Sequence, residues 1–239
     1  MVAESRNLNR RLDAARKAAE RIAQTDALTG LQNRRAMTQY VDQLITGRVP
    51  FACMHMDLDY FKSINDTFGH AAGDYVLRAV AQVLNTETRA EDCVARIGGD
   101  EFVLIFVRVT DRVFLQRIAQ RMIARLEEPV QFDQHVCCIS ASAGTSISID
   151  YPNPDPDVML SDADRALYAS KKAGRGQHRF AKDHQSEPPQ HKGFNSPAEE
   201  KQKGRPPRAA LCCVIRPSYA VAKAPMTGRR RARSSQPAG

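Results

Sequence analysis

The sequence predicts an α+β fold in which helices pack against a β-sheet. Two stretches indicate the sheet: a nearly continuous apolar run at residues 51–56, and two apolar runs within residues 94–107 that flank Gly98 and Gly99. Helical stretches follow these strands, so the elements run strand, helix, hairpin, helix, strand, helix along the chain. From this order we expect a sheet that helices cover on one face.

The strands differ in their residue patterns. The run at 51–56 has the apolar character of a buried central strand. The paired glycines at 98 and 99 are a turn signal and predict a β-hairpin. Residues 136–149 alternate small and β-branched side chains, and we expect them to form one strand.

The predicted helices have apolar residues at helical spacing. They cover residues 34–45, 74–84, 114–126 and 159–172. Asp155 and Pro156 precede the last of them, as an N-cap residue and a proline at the first helical position.

A further helix is predicted near the N-terminus, within a segment of residues 1–25. Apolar residues there alternate spacings of four and three, which indicates a heptad seam; they are Leu8, Leu12, Ala15, Ala19 and Ile22. Such a helix either lies on its own domain or forms a coiled coil that pairs two chains. It is too short to pair strongly by itself, so the coiled coil is favoured only if the following domain, residues 26–181, also dimerises.

The remaining residues, 182–239, are predicted to be a disordered basic tail. Residues 1–180 contain 23 Lys and Arg against 23 Asp and Glu, whereas residues 181–239 contain 12 against 4, so the net charge of +8 lies in this tail. It also holds 8 of the 13 prolines and has no sustained periodicity. Its arginine run at 229–233 could contact nucleic acid or acidic lipid, but a solvated end is favoured, and we expect no nucleic-acid partner.

Composition also predicts the cellular location. No apolar stretch approaches the ~18–20 residues of a membrane helix, and the N-terminus lacks the apolar segment of a secretory signal. The six cysteines show no metal-ligand spacing and are interpreted as thiols in a reducing compartment. We therefore expect a cytoplasmic protein.

Acidic residues cluster where the predicted strands end. Asp57 and Asp59 follow the buried strand and share one face, where a carboxylate is costly without a partner. With Asp100 from the hairpin turn they predict a cluster of oxygen ligands suited to Mg²⁺ and bound phosphates, and Lys62 lies close enough to offset phosphate charge. The alternative for the turn is a hairpin with solvated acids at its tip.

An amide and a carboxylate follow in a helix-and-turn segment, at Asn65 and Asp74. Presented together, these groups can pair with the O6 acceptor and the N1 and N2 donors of guanine, a polar edge that adenine lacks.

Five motifs together resemble the GGDEF family of diguanylate cyclases, over about residues 26–180. They are DALTGLQNR (26–34), DLDYFKSIND (57–66), FGHAAGD (68–74), RIGGDEF (96–102) and ADRALYASK (163–171), the last followed by Gly174-Arg175. One departure is Gly176, where the family usually has Asn or Asp.

The resemblance implies a palm-type, ferredoxin-like antiparallel central sheet flanked by helices, as in nucleotidyl cyclases. It implies that Asp57, the Leu58 carbonyl and Asp100 hold Mg²⁺, with Mn²⁺ as an alternative. The implied reaction condenses two GTP into cyclic di-GMP. Asp100 and Glu101 would deprotonate the attacking 3′-hydroxyl, with Lys62 as a further catalytic residue.

The same resemblance assigns the substrate contacts and the assembly. Lys62, Lys171 and Arg175 would bind phosphates, while Asn65 and Asp74 read guanine with His70 nearby. Each subunit of a homodimer would hold one GTP, which gives the N-terminal heptads a purpose.

The resemblance also implies feedback by the product. Arg89 and Asp92 stand at the family's offset for a product-inhibition site, and Arg121 resembles a secondary inhibitory arginine. The alternative is an ordinary surface ion pair. An inactive module that only binds GTP or cyclic di-GMP is the main rival function, and the presence of all the implied metal and guanine residues favours the enzyme.

Overall fold

The computed structural model describes residues 23–181. The predicted N-terminal helix lies outside the described residues apart from 23–25, and the predicted tail of 182–239 lies wholly outside them.

The centre of the domain is a six-stranded sheet made of β1 (Gln32–Asn33), β2 (Phe51–Asp59), β3 (Cys93–Gly98), β4 (Glu101–Val107), β7 (Ser140–Ile147) and β8 (His178–Phe180). The order of the strands across the sheet is β1-β3-β4-β2-β7-β8. The four inner strands pair antiparallel, whereas β1 and β8 add to the edges in parallel. The predicted α+β fold and the hairpin at Gly98 and Gly99 are confirmed.

Five helices pack on this sheet among the described residues, together with a short 3₁₀ helix at Ser148–Asp150. They are α1 (Arg34–Thr46), α2 (Phe61–Phe68), α3 (His70–Glu87), α4 (Arg112–Leu126) and α5 (Pro156–Lys172). The predicted start of α5 is confirmed, because the Asp155 side chain accepts hydrogen bonds from the main-chain N–H groups of Asp157 and Val158.

Helices cover both faces of the sheet, so the expectation of one covered face is wrong. Alternate residues of β2 and β4 enter two separate cores. Met54 and Leu104 pack with α3 and α4 on one face, while Cys53 and Ile105 pack with α1 on the other. The physical reason is visible in the sequence, because a strand that is apolar at every position must be buried on both sides.

Residues 136–149 form two strands rather than one. A small hairpin of β5 (Val130–Phe132) and β6 (His135–Cys137) is separate from the main sheet, and β7 begins at Ser140. Ring side chains of the β5–β6 hairpin contact α2 and α3. The ring centroids are 5.4 Å apart for Phe132 and Tyr75 and 5.0 Å apart for His135 and Phe68. These contacts pack the hairpin against α2 and α3.

Gly144 in β7 lets α5 lie unusually close to the sheet. A Cβ atom at this position would lie 2.1 Å from the Ala163 carbonyl oxygen and 2.2 Å from the Leu167 nitrogen. Only glycine therefore fits, and α5 carries Lys171 towards the end of β2.

Two other predictions concern cysteines and membranes. Cys53 and Cys93 are buried free thiols, and Cys137 is also buried. Within the part of the chain that the structure describes, no helix is long and apolar enough to span a bilayer.

Candidate active site

The end of β2 and the hairpin turn meet at one edge of the sheet. Asp57 lies opposite Glu101 in the β2–β4 register, and the Leu58 N–H donates to the Asp100 carbonyl over 3.2 Å. A cavity of about 320 Å³ opens there. It is lined by Asp57, Leu58, Asp59, Tyr60, Phe61, Lys62, Ser63, Asp100, Lys171 and Arg175. The structure thus brings together the predicted metal and phosphate residues.

The hairpin turn is fixed by an arginine whose role the sequence reasoning missed. Nε and Nη2 of Arg96 donate to the Gly99 carbonyl over 2.9 and 2.7 Å, and its Nη1 lies 3.1 Å from Oδ1 of Asp26. Burial opposes the ionisation of Asp26, but hydrogen bonds from Thr29 and Arg96 outweigh it and lower the pKa. Asp26 and Arg96 both lie in the family motifs, at residues 26–34 and 96–102, so those motifs could have indicated their role.

The negative charge of Asp57 is only partly compensated by its ion-pair partner, Lys171. Nζ of Lys171 lies 2.7 Å from Oδ2 of Asp57. Burial nevertheless raises the pKa of Asp57 to about 6; Lys171 opposes this shift, and the charges of Asp100 and Glu101 add to it. A cation placed among these acids would therefore be stabilised.

Asp59 is not part of a three-carboxylate metal cluster, and that part of the prediction is wrong. Its side chain accepts hydrogen bonds from Oγ of Ser142 at 2.9 Å and from the Gly176 N–H at 3.1 Å. Nε of Arg175 lies 3.6 Å from its Oδ1. Asp59 is almost fully buried, and it anchors the loop that follows α5. The prediction failed because the Asp59 carboxylate is hydrogen-bonded to Gly176, which lies 117 residues away in sequence.

The donor set at the cavity still fits a divalent cation. Among residues 23–181, no three His, Cys, Asp or Glu side chains come together as ligands. Two carboxylates, Asp57 and Asp100, and the Leu58 carbonyl remain. Hard oxygen donors of this kind suit Mg²⁺ or Mn²⁺, which keep part of their coordination for water and substrate phosphates.

The cationic side of the cavity comes from the end of α5 and from α2. Lys171 belongs to the last turn of α5, and Arg175 sits in the loop just beyond it, between Gly174 and Gly176. Gly176 has a φ of 58°, a conformation that Asn and Asp also tolerate. The departure from the family pattern at this position is therefore compatible with the same local backbone conformation.

The predicted guanine residues gather where α2 meets α3. Asn65 is half-buried in α2, while His70 and Asp74 are exposed in the first turns of α3. Gly73 makes room for the Asn65 side chain, because a Cβ at position 73 would lie 2.0 Å from Oδ1 of Asn65. Lys62 and Asn65 lie one turn apart on α2, so this helix connects the cavity with the predicted guanine site.

The predicted inhibitory residues lie elsewhere, and their charged groups already have partners. The Asp92 carboxylate accepts hydrogen bonds from the main-chain N–H groups of Arg89 at 2.9 Å and Val107 at 3.0 Å. The Arg89 guanidinium lies over the Phe114 ring, 5.8 Å from its centroid. Arg121 pairs with Glu87. Arg89 and Asp92 are thus joined through the main chain and not as a side-chain ion pair.

Comparison with known proteins agrees with this geometry. The family model described as diguanylate cyclase, GGDEF domain, matches residues 23–177. In Pseudomonas aeruginosa the cyclic di-GMP phosphodiesterase NbdA is 36% identical over 175 residues, 71% of this chain and 22% of NbdA. The bifunctional diguanylate cyclase/cyclic di-GMP phosphodiesterase MucR is 35% identical over 165 residues, 66% of this chain and 24% of MucR. The chain spans less than a quarter of the length of either relative.

The chain is also similar in structure to a solved GGDEF domain. The coiled coil and GGDEF domain of DgcB from Caulobacter crescentus, in complex with c-di-GMP, superposes with a TM-score of 0.68 at 28% identity. The match covers 75% of this chain and 96% of that one. The chain belongs to the GGDEF-domain family of diguanylate cyclases.

Proposed function

We propose that this chain is a diguanylate cyclase that condenses two GTP molecules into cyclic di-GMP and releases pyrophosphate. One observation carries the proposal. Asp57, Leu58 and Asp100 line the same cavity at the end of β2 as Lys62, Lys171 and Arg175, and Lys171 lies 2.7 Å from Asp57. Acidic groups for a divalent cation and basic groups for phosphates, together in one cavity, are what a triphosphate bound with a divalent cation requires.

The residues of the chain have separate tasks in this proposal. Asp57, the Leu58 carbonyl and Asp100 would hold Mg²⁺ or Mn²⁺, which supplies Lewis-acid stabilisation of charge on the phosphates. Lys62, Lys171 and Arg175 neutralise and orient the triphosphate for in-line attack on the α-phosphate. Glu101, with Asp100, accepts the proton of the attacking 3′-hydroxyl.

Guanine selection rests on the α2–α3 junction. Asn65 and Asp74 pair with the polar edge of guanine, with His70 beside them, whereas adenine would leave their polar groups unsatisfied. Such a mismatch typically costs ~1–3 kcal/mol for each buried group. GTP is therefore the substrate, and the cytoplasm is where the chain would find it.

Two phosphodiester bonds require two nucleotides, so we also propose a homodimer in which each subunit presents one GTP to the other. Joining two chains through an N-terminal coiled coil raises the effective concentration of one half-site for its partner. The heptad spacing of residues 8–22 supports this arrangement, as does the presence of a coiled coil together with the GGDEF domain in the DgcB structure.

Product inhibition is the last part of the proposal. Arg89 and Arg121 offer guanidinium groups that can bind phosphate or the guanine edge in bidentate fashion. Asp92 holds the Arg89 main chain in place and can still accept further hydrogen bonds. Inhibition at this surface would be non-competitive with GTP, because the cavity is a different site.

The test is a product assay with purified protein, GTP and Mg²⁺, resolved by chromatography. We expect cyclic di-GMP and pyrophosphate from GTP, none from ATP, and none with excess chelator. Binding of GTP without turnover would instead identify the inactive, nucleotide-binding alternative. Hydrolysis of added cyclic di-GMP would point to the phosphodiesterase activity named for NbdA.

A further inference from the structure

Tyr60 has an unusual backbone conformation at the entrance to α2. Its φ of 63° and ψ of 18° are left-handed, and its side chain does not cap the helix. This conformation is costly for a residue with a Cβ atom, and such strain is concentrated at functional sites. Tyr60 also lines the cavity, where its side chain is 42% exposed.

The Tyr60 ring lies against the guanidinium of Arg175. The Arg175 Cζ atom is 5.0 Å from the ring centroid, within the range of a cation–π interaction. Arg175 itself has a positive φ of 63°. Two residues with strained backbones, from distant parts of the sequence, therefore meet at the edge of the cavity.

Asp59 holds the same guanidinium from a second side. Its Oδ1 lies 3.6 Å from Nε of Arg175, and its carboxylate is fixed by Ser142 and by the Gly176 N–H. The ring and the carboxylate together limit the rotamers that Arg175 can adopt. They also leave the donors of its two terminal Nη nitrogens for a ligand.

We propose that Tyr60 is a positioning residue that, with Asp59, holds Arg175 ready for the phosphates of GTP beyond the first. This inference rests on the proposed function. Arginine otherwise loses rotamer freedom when it binds, and holding it in place beforehand removes that cost. A ligand with one phosphate gains little from Arg175, so the effect of Tyr60 depends on the length of the phosphate chain.

The test compares the binding of 3′-deoxy-GTP and GMP, both with Mg²⁺, by calorimetric titration. The 3′-deoxy nucleotide lacks the attacking hydroxyl and is not consumed. Tyr60→Leu should bind 3′-deoxy-GTP about threefold to tenfold more weakly, as expected for loss of a cation–π contact at a partly desolvated site. It should bind GMP as the wild type does, and Tyr60→Phe, which keeps the ring, should restore most of the lost affinity.

Tyr168→Leu is the matched control. Tyr168 is 59% exposed on α5, and its ring has a cation–π contact with Lys172, whose Nζ lies 4.6 Å from the centroid. Its loss should change neither affinity. Equal binding of 3′-deoxy-GTP by Tyr60→Leu and wild type, or equal weakening of both ligands, would overturn the inference. If the wild type itself fails to bind 3′-deoxy-GTP, the proposed function fails, and the inference fails with it.

Discussion

The cavity at the end of β2 and the surface around Arg89 both combine acidic and basic side chains, but they satisfy their charges differently. In the cavity, Asp57 faces Lys171 and still has its pKa raised to about 6. At the surface, the Asp92 carboxylate accepts hydrogen bonds from two main-chain N–H groups, and Arg121 pairs with the largely buried Glu87.

This difference separates a site prepared for a ligand from one that first serves the fold. A buried carboxylate with an incompletely compensated charge gains stability from an incoming cation. A carboxylate that accepts main-chain hydrogen bonds is already satisfied, and its removal leaves unpaired N–H groups. The same residue types therefore predict different consequences of mutation in the two regions.

The largest expected effect is in the cavity. Asp100→Asn should lower cyclic di-GMP synthesis by at least about 100-fold, because it removes one of the two anionic ligands that stabilise charge at the reacting phosphate. Its circular dichroism spectrum and melting temperature should match the wild type. Asp133→Asn, in the exposed turn of the β5–β6 hairpin, is the control and should retain full activity. A folded Asp100→Asn protein with normal turnover would show that Asp100 is not needed for catalysis.

A second change tests the charge of Asp57 through stability. Because its folded pKa is raised from 3.8 to about 6, this group stabilises the metal-free fold most below pH 4 and loses that contribution as the pH rises through 6. Asp57→Asn should therefore increase the free energy of unfolding by about 1–3 kcal/mol above pH 6, with chelator present, and by much less near pH 4. Urea unfolding from pH 4 to 8 measures this. A lower stability than wild type above pH 6 would contradict it.

A third change tests whether the Asn65 side chain binds guanine. Gly73→Ala places a methyl group against Asn65, whose side chain can swing aside, so the fold should survive. Losing one hydrogen bond to guanine should raise the KM for GTP by about tenfold. Ala71→Ser, on the same helix and exposed, is the control. An unchanged KM would show that Asn65 does not read the base.

The smallest effects are expected at the Arg89 surface. Asp92→Ala should lower the free energy of unfolding by about 1–2 kcal/mol, because two N–H groups lose their acceptor, whereas Arg89→Ala should cost under about 0.5 kcal/mol. Both should weaken inhibition by added cyclic di-GMP, so that progress curves run longer before they stall. Equal inhibition of wild type and Arg89→Ala would make this surface purely structural.

Local patterns predicted much of this molecule, and contacts between distant segments account for the rest. The apolar run of β2, the hairpin at Gly98 and Gly99 and the cap at Asp155 are local, and all three are confirmed. The role of Asp59 depends on Gly176, 117 residues away, and no periodicity carries that contact. The strained conformation of Tyr60 is likewise invisible in a motif that specifies residue types and not backbone angles.

Direct measurement of metal binding tests the central claim without relying on turnover. Electron paramagnetic resonance reports bound Mn²⁺ in the presence of 3′-deoxy-GTP, for the wild type, Asp100→Asn and Arg89→Ala. We predict that the wild type and Arg89→Ala bind Mn²⁺ alike, and that Asp100→Asn loses most of the bound metal. Equal Mn²⁺ binding by Asp100→Asn and the wild type would contradict the assignment of the cavity as the metal and nucleotide site.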